Sequence, residues 1–363
     1  MQHRLERCRE RLAAEQLDGL LVTSAANRRY LSGFTGSAGA LLVSAERAFL
    51  LSDGRYAVQG PQEAPAFEWV LLSDAAPLAK QLPQLARQCG LQRIGFEAQD
   101  LSVAQYTKLQ HELQAAEVPA AGVATEGLIE GLREAKDADE IATLRRAIAI
   151  TDDAFAAVRP MLRPAMRERE VAWELEKAMR ERGAEALAFE VIVAAGDNGS
   201  RPHARASDAQ LGVGRPVVLD FGARLAGYHA DMTRTVVLGE ADDTFWHVYN
   251  TVLEAQQAAA AGASVGKTGA EVDALARELI TAAGYGEAFG HGLGHGVGLQ
   301  IHEGPAVRRL SQARLSAGAV FSVEPGVYLP GWGGVRIEDL VLLTDAGPET
   351  LTQSPKDPVL VIP

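Results

Sequence analysis

Cysteine is nearly absent: only Cys8 and Cys89 occur in 363 residues, in no metal-type spacing. A disulfide framework is therefore not expected, and a reduced, cytoplasmic protein is the simpler reading. Long apolar runs are also missing, since none approaches the roughly 20 residues needed to cross a bilayer. Met1 to Glu15 is studded with Arg and Glu and lacks an apolar h-region, so it reads as an amphipathic helix and not as a signal peptide. Positive charge is in short supply, with 35 Lys and Arg against 47 Asp and Glu, a net charge of -12. Phosphate recognition needs clustered Lys and Arg, so no nucleic-acid surface is expected. The Gly-rich stretch from Gly33 to Gly39 is followed by no Lys at the Walker spacing and fits no dinucleotide fingerprint. It is read as a structural turn.

What is present is an ordinary globular composition on a chain too long for one compact core, so two domains are expected. Strand patterns at Leu20–Thr23, Ala40–Val43, Ala48–Leu51 and Arg93–Phe96 alternate with helical stretches at Pro77–Gln88 and Val103–Leu113. That describes a small N-terminal α/β domain over residues 1–122, closed by the Pro- and Gly-interrupted stretch around Pro119 and Gly122. Residues 123–363 form the second domain, of mixed α/β (α+β) pattern. Its helices are expected from Ile141 to Val158, Glu168 to Glu181, Thr244 to Ala260 and Gly269 to Ala282. Its strands are expected at Glu190–Ala194, Pro216–Gly222, Tyr228–Leu238, Val320–Glu324 and Gly334–Leu343.

Two of these strand pairs carry acids. Asp220 lies in Val217-Val218-Leu219-Asp220-Phe221 and Asp231 in the next strand; a turn near Leu225-Ala226 would make them direct cross-strand partners. Glu324 and Glu338 flank a turn centred on Gly331 in the same way. Carboxylates that close repel each other, and a divalent cation removes the conflict. Most of the eight histidines fall between His203 and His302, densest in His291-Gly292-Leu293-Gly294-His295-Gly296-Val297-Gly298 and Ile301-His302-Glu303. One Asp in an apolar strand is more often a cap or an ion-pair partner than a ligand. Two acid-bearing β-hairpins and a histidine cluster in one chain outweigh that alternative. Four carboxylates, Asp220, Asp231, Glu324 and Glu338, with the His295 imidazole form an oxygen-rich set suited to Mn²⁺, with Co²⁺ or Zn²⁺ as alternatives.

These segments resemble the pita-bread metallopeptidases, closest to their proline-specific branch of Xaa-Pro dipeptidases (prolidases) and Xaa-Pro aminopeptidases. The blocks that carry the resemblance are Ile192-Val193-Ala194-Ala195-Gly196 with Pro202-His203, Leu219-Asp220-Phe221-Gly222, Gly227-Tyr228 through Thr235, His291 through Glu303, and Glu324-Pro325-Gly326 with Arg336-Ile337-Glu338-Asp339. The upstream Arg133-Glu134-Ala135-Lys136 also looks like this branch. The resemblance implies a C-terminal pita-bread domain, two divalent ions and a homodimer. It places Asp231, His295 and Glu324 on one ion and Asp220 on the other, with Asp231 and Glu338 bridging. It further implies active-site roles for His203, His291 and His302, with Glu324 as the proton carrier. Arg336 and Tyr328 would bind substrate together with His203 and His302, although Tyr328 could simply pack and Arg336 could simply pair with an acid. His229 reads as a neighbour of the site or as a surface residue. Where relatives often carry a second His beside His203, Ala204 stands here. The implied activity is that of a prolidase, acting on small peptides with proline at the second position. An Xaa-Pro aminopeptidase acting on longer peptides is the alternative, and a binding protein on a dead peptidase scaffold is the alternative of another class.

Overall fold

The computed structural model describes residues 2–361. Two compact units divide after Arg133, and each is described by itself.

The first unit is a six-stranded sheet with helices. In chain order its strands are β1 (Gly19–Val22), β2 (Ala40–Ser44), β3 (Ala48–Asp53), β4 (Glu68–Leu72), β5 (Arg93–Glu97) and β6 (Ala121–Thr125). The spatial order is β4-β3-β2-β1-β5-β6. Antiparallel pairs join β1 to β2 and β2 to β3, and the other neighbours run parallel. The unit's helices are α1 (Gln2–Ala14), α2 (Ala25–Ser32), α3 (Gln59–Glu63), α4 (Leu78–Cys89), α5 (Val103–Ala115) and α6 (Glu130–Glu134), the last ending one residue past the division. The amphipathic reading of the N-terminus holds: α1 buries Leu5, Cys8 and Leu12. The turn reading of Gly33–Gly39 holds as well, with Gly33 in the left-handed region capping α2. Both cysteines are free thiols, and burial pushes the Cys8 thiol up to about 12.

The division expected at residue 122 is displaced, because that position lies inside β6, an edge strand paired with β5. The unit continues through Ile129 and Leu132, both buried, and the Tyr30 hydroxyl donates to the Leu132 carbonyl at 3.0 Å. β6 and β4 escape a periodicity reading because their side chains are mostly exposed or half-buried, so neither shows an apolar stripe.

The second unit has two halves of like construction. In one, α7 (Ala138–Val158) and α8 (Glu168–Glu181) pack on a sheet ordered β20-β12-β9-β8. Its strands are β8 (Ile192–Ala195), β9 (Pro216–Phe221), β12 (Met232–Leu238) and β20 (Val359–Leu360). The short strands β7 (Ala186–Leu187), β10 (Ala223–Leu225) and β11 (Tyr228–His229) extend the hairpin. In the other half, α9 (Asp243–Gly262) and α10 (Gly269–Ala282) back β13 (Gly294–Gly296), β14 (Glu303–Val307), β15 (Val320–Val323), β18 (Asp339–Thr344) and β19 (Gly347–Thr350). A ribbon of β16 (Gly326–Leu329) and β17 (Gly333–Arg336) continues it.

Strand alternation decides what faces what. Leu219 and Phe221 join the core under α7 and α8, which turns Asp220 to the opposite face. Phe321, Val323, Val335 and Ile337 join the core under α9 and α10, which turns Ser322, Glu324, Arg336 and Glu338 away from it. The polar faces of the two halves meet: Thr233 Oγ1 donates to Glu338 Oε2 at 2.7 Å, and Glu338 N donates to the Thr233 carbonyl at 3.1 Å.

Candidate metal centre

The later acid-bearing hairpin has the expected form. Gly331 stands in the left-handed region at the centre of its turn, and one register runs through Val323↔Asp339 and Gly326↔Arg336. That register sets Glu324 directly across from Glu338. The earlier hairpin needs correction. Its turn sits at Ala226-Gly227, both with positive φ, one residue later than Leu225-Ala226. Asp220 consequently faces Thr233, and Asp231 is its diagonal neighbour on the same face and not its direct partner. Each long strand predicted for these hairpins is also interrupted: the ladder breaks between β11 and β12 at Ala230-Asp231, and between β17 and β18 at Ile337-Glu338. Asp220 stays within the β9 ladder, while Asp231, Glu324 and Glu338 sit where the backbone leaves regular pairing. That freedom aims them at a common point.

One oxygen each of Asp220, Asp231 and Glu338 lies within 4.8 Å of the others, and all three residues are buried. His295 closes the group: its Nε2 is 3.2 Å from Glu324 Oε1 and 3.7 Å from Asp231 Oδ2. Its Nδ1 lies 3.1 Å from the Gly296 carbonyl, which calls for the proton on Nδ1 and turns Nε2 to the carboxylates. Ser322 Oγ accepts from His295 N and donates to Glu324 Oε1, each at 3.0 Å. Close backbone approach is required here, because a Cβ at Gly294 would lie 1.9 Å from the Ser322 carbonyl oxygen.

The electrostatics are those of a site built around positive charge. Burial, with the charges of Glu338, Asp220 and Glu324, pushes the Asp231 carboxyl well above its ordinary range. Burial, with Glu324 and Asp220, does the same to Glu338. Asp220 is raised by burial and held back by Arg336. Glu324 is the exception: burial pushes it up, but the bond from His295 and the charges of His295, His291 and Arg336 win and hold it at about 2. Burial lowers His295, and Glu324 more than compensates, so its imidazole is raised. Among the described residues, Asp220 Oδ1 and Glu338 Oε1 are buried without a hydrogen-bond partner. Two orphaned carboxylate oxygens, with the His295 Nε2 turned to the same carboxylates and able to give up its proton to a metal, fit divalent cations.

The remaining predicted residues surround this group. Arg336 is buried and heavily engaged: it donates to Asp220 Oδ2, to Thr233 Oγ1 at 3.0 Å, to the Tyr328 hydroxyl at 2.8 Å and to the Pro202 carbonyl at 3.2 Å. Tyr328 is buried between Arg336 and His291 Nε2 (3.0 Å), and burial raises its hydroxyl to about 12. His302 stands edge-on to His295 with ring centroids 4.3 Å apart, and burial lowers it. His291 is lowered by burial too. His229 is buried with Nδ1 2.9 Å from the Gly298 carbonyl, beside the site and not lining it. A cavity of about 570 Å³ opens on the carboxylates and is lined also by His203, His291, His302, Arg336, Phe189, Glu190, Ala204, Arg205 and Arg308. Thr233 and Ser322 were overlooked by sequence reasoning. Each stands two residues from an acid on one strand face, and that period of two was the available signal.

Arg336→Met is expected to destabilise the protein by about 3–5 kcal/mol, because it leaves buried Asp220 without its cation. Urea unfolding measures this; a loss within about 1 kcal/mol, the range of an exposed pair, would show the pairing to be inessential.

Residues 142–345 match metallopeptidase family M24, and residues 4–135 match the creatinase/prolidase N-terminal domain. The chain belongs to metallopeptidase family M24. It is therefore a hydrolase with a C-terminal pita-bread domain, of a family that works with divalent metals. An uncharacterized peptidase of Bacillus subtilis is 39% identical, covering 99% of this chain and 100% of that protein. The structure of an Xaa-Pro dipeptidase from Bacillus anthracis is 40% identical with a TM-score of 0.95, covering 99% of both chains. An X-Pro aminopeptidase from Thermotoga maritima is 36% identical with a TM-score of 0.88, covering 97% of this M24 chain and 100% of its own. Among the described residues, no helix is long and apolar enough to cross a membrane.

Proposed function

We propose that this M24 chain is an Xaa-Pro dipeptidase that hydrolyses the peptide bond before proline in small peptides. The observation that carries the reading is the convergence of four carboxylates and one imidazole on one cavity, in a chain similar along its whole length to an Xaa-Pro dipeptidase. Asp231, His295, Glu324, Glu338 and Asp220 would hold two divalent ions, Mn²⁺ first, with Co²⁺ or Zn²⁺ as alternatives. When bound, the ions supply Lewis acidity and bring the pKa of water from about 15.7 toward 7.

The chain's own residues supply the rest. Glu324, ionised at neutral pH, takes a proton from the attacking water and returns it to the leaving proline nitrogen. His302 and His203 line the cavity and donate to the substrate carbonyl oxygen as it gains charge, a contribution of about 2.7–4 kcal/mol per donor. A neutral imidazole suffices for this, since it keeps one N–H. Tyr328 and His291 brace Arg336 against Asp220 and so keep the acid face in register. The proline nitrogen carries no hydrogen, so a pocket that needs no backbone N–H at that position suits it.

The test is turnover of Ala-Pro, Ala-Gly and Ala-Pro-Ala-Ala by Mn²⁺-loaded protein. Release of proline from Ala-Pro, with Ala-Gly left intact, is expected. Cleavage of the tetrapeptide alone would replace the dipeptidase by an aminopeptidase. Elemental analysis names the ion, and light scattering reads the homodimer that belongs to the proposal; a protein without metal and inactive on added Mn²⁺ would leave a binding scaffold.

A further inference from the structure

The Arg133-Glu134-Ala135-Lys136 segment has no part in the chemistry above, yet its lysine is buried in the second unit. Lys136 Nζ lies 3.0 Å from Glu303 Oε1, with the two side chains 1% and 4% exposed. Nζ also donates to the Glu134 carbonyl at 3.3 Å. The backbone is fixed at the same place: Lys136 N donates to the Gly318 carbonyl, and Ala135 bridges Ala319, which leads into β15 and Glu324. On the partner side, Glu303 Oε2 accepts from Gln300 N at 3.1 Å. A Cβ at Gly298 would come within 2.3 Å of Glu303 Oε1. The Glu303 carboxylate is thus folded back over the turn 298–303, and that turn carries His302. A buried ion pair is a weak source of stability compared with apolar packing of the same volume. A pair that seats the turn bearing an active-site imidazole has a geometric reason to be there.

We infer that Lys136 is a positioning residue for His302, acting through Glu303 and the turn 298–303. The inference rests on the hydrolytic reading for what His302 does, and on geometry alone for where it stands. Lys136→Met is expected to lower kcat on Ala-Pro about 100-fold, the order that a displacement of about 1 Å costs. KM should stay within about threefold and the metal bound per chain should be unchanged, since a group that acts in the transition state alone leaves ground-state binding intact. Lys136→Arg, which keeps the cation, should recover most of the loss. Adding Glu303→Gln to Lys136→Met should cost little more, as for two members of one unit. A readout independent of turnover is the His302 Cε1–H resonance, assigned by its loss in His302→Asn. It should move in Lys136→Met while the His247 resonance stays. An unmoved His302 resonance, or a fall in kcat that only follows lost metal, overturns the inference. If Lys136→Met does not fold, Glu303→Gln carries the same resonance test, and in Lys136→Arg the His302 resonance should stay near its parental position. If the parent protein cleaves no Xaa-Pro peptide, the dipeptidase reading fails, while the resonance still decides the positioning role.

Discussion

Asp231→Asn is expected to lower kcat/KM on Ala-Pro by at least about a thousandfold, roughly 4 kcal/mol in the barrier, while making the metal-free protein harder to unfold. Both effects come from one position. Asp231 shares the 4.8 Å cluster with Asp220 and Glu338, and it is also 3.7 Å from His295. Of the three clustered acids, Asp231 is the one that also lies within 4.0 Å of the imidazole, so an uncharged amide there takes a ligand from the centre of the site. In the absence of metal the same carboxylate is a liability, raised by burial and by the charges of Glu338, Asp220 and Glu324. An amide of the same shape removes that penalty. Steady-state kinetics and thermal melts in chelator measure the two halves. A variant with near-parental turnover, or one melting below its parent in chelator, would remove Asp231 from the centre assigned to it.

The acid cluster of the metal-free parent is expected to contribute less stability as pH rises from about 4, the range where unfolded Asp and Glu ionise. The sign follows from the raised groups. Asp231, Glu338 and Asp220 stay protonated in the folded chain to higher pH than in the unfolded one. Their stabilising contribution is complete below the unfolded pKa and disappears as pH climbs through the folded one. Glu324 works in the opposite sense: held at about 2, it contributes above the unfolded value near 4.3 and loses that contribution as pH falls toward 2. Above about pH 5 Glu324 is ionised in both states and adds no slope, so the contribution of these four carboxyls falls as pH rises. Cations reverse it, because they bind the ionised carboxylates and stabilise by about 2.7 kcal/mol at a hundredfold excess over Kd. Melting temperatures at pH 5 and pH 8, in chelator and in Mn²⁺, should show the larger metal-induced gain at pH 8. An equal gain at both values would count against a carboxylate-built centre.

Strand alternation made the acid faces legible before any coordinates. Val217, Leu219 and Phe221 had to be buried together, so Asp220 had to point the other way. The hairpin centred on Gly331 was equally legible, since Pro330, Gly331 and Gly333 admit few other paths. The hairpin at Ala226-Gly227 was not. Alanine rarely adopts the positive φ found there, so composition pointed one residue too early. A shift of one residue in the turn moved Asp231 from a direct to a diagonal neighbour of Asp220. The N-terminal division was misplaced for a related reason: Ala121–Thr125 is half exposed, and an edge strand without an apolar stripe looks like a linker.

The sequence by itself determined which side chains supply the acids and imidazole of the proposed centre, because residue type and strand period are local properties that need no partner to be read. Only the tertiary structure decided how those side chains meet. Thr233 on Glu338, Arg336 on Asp220, and Lys136 on Glu303 join residues 105, 116 and 167 positions apart. Such pairings follow from how the two halves of the catalytic unit pack, and packing is settled by the whole core at once and not by any one segment.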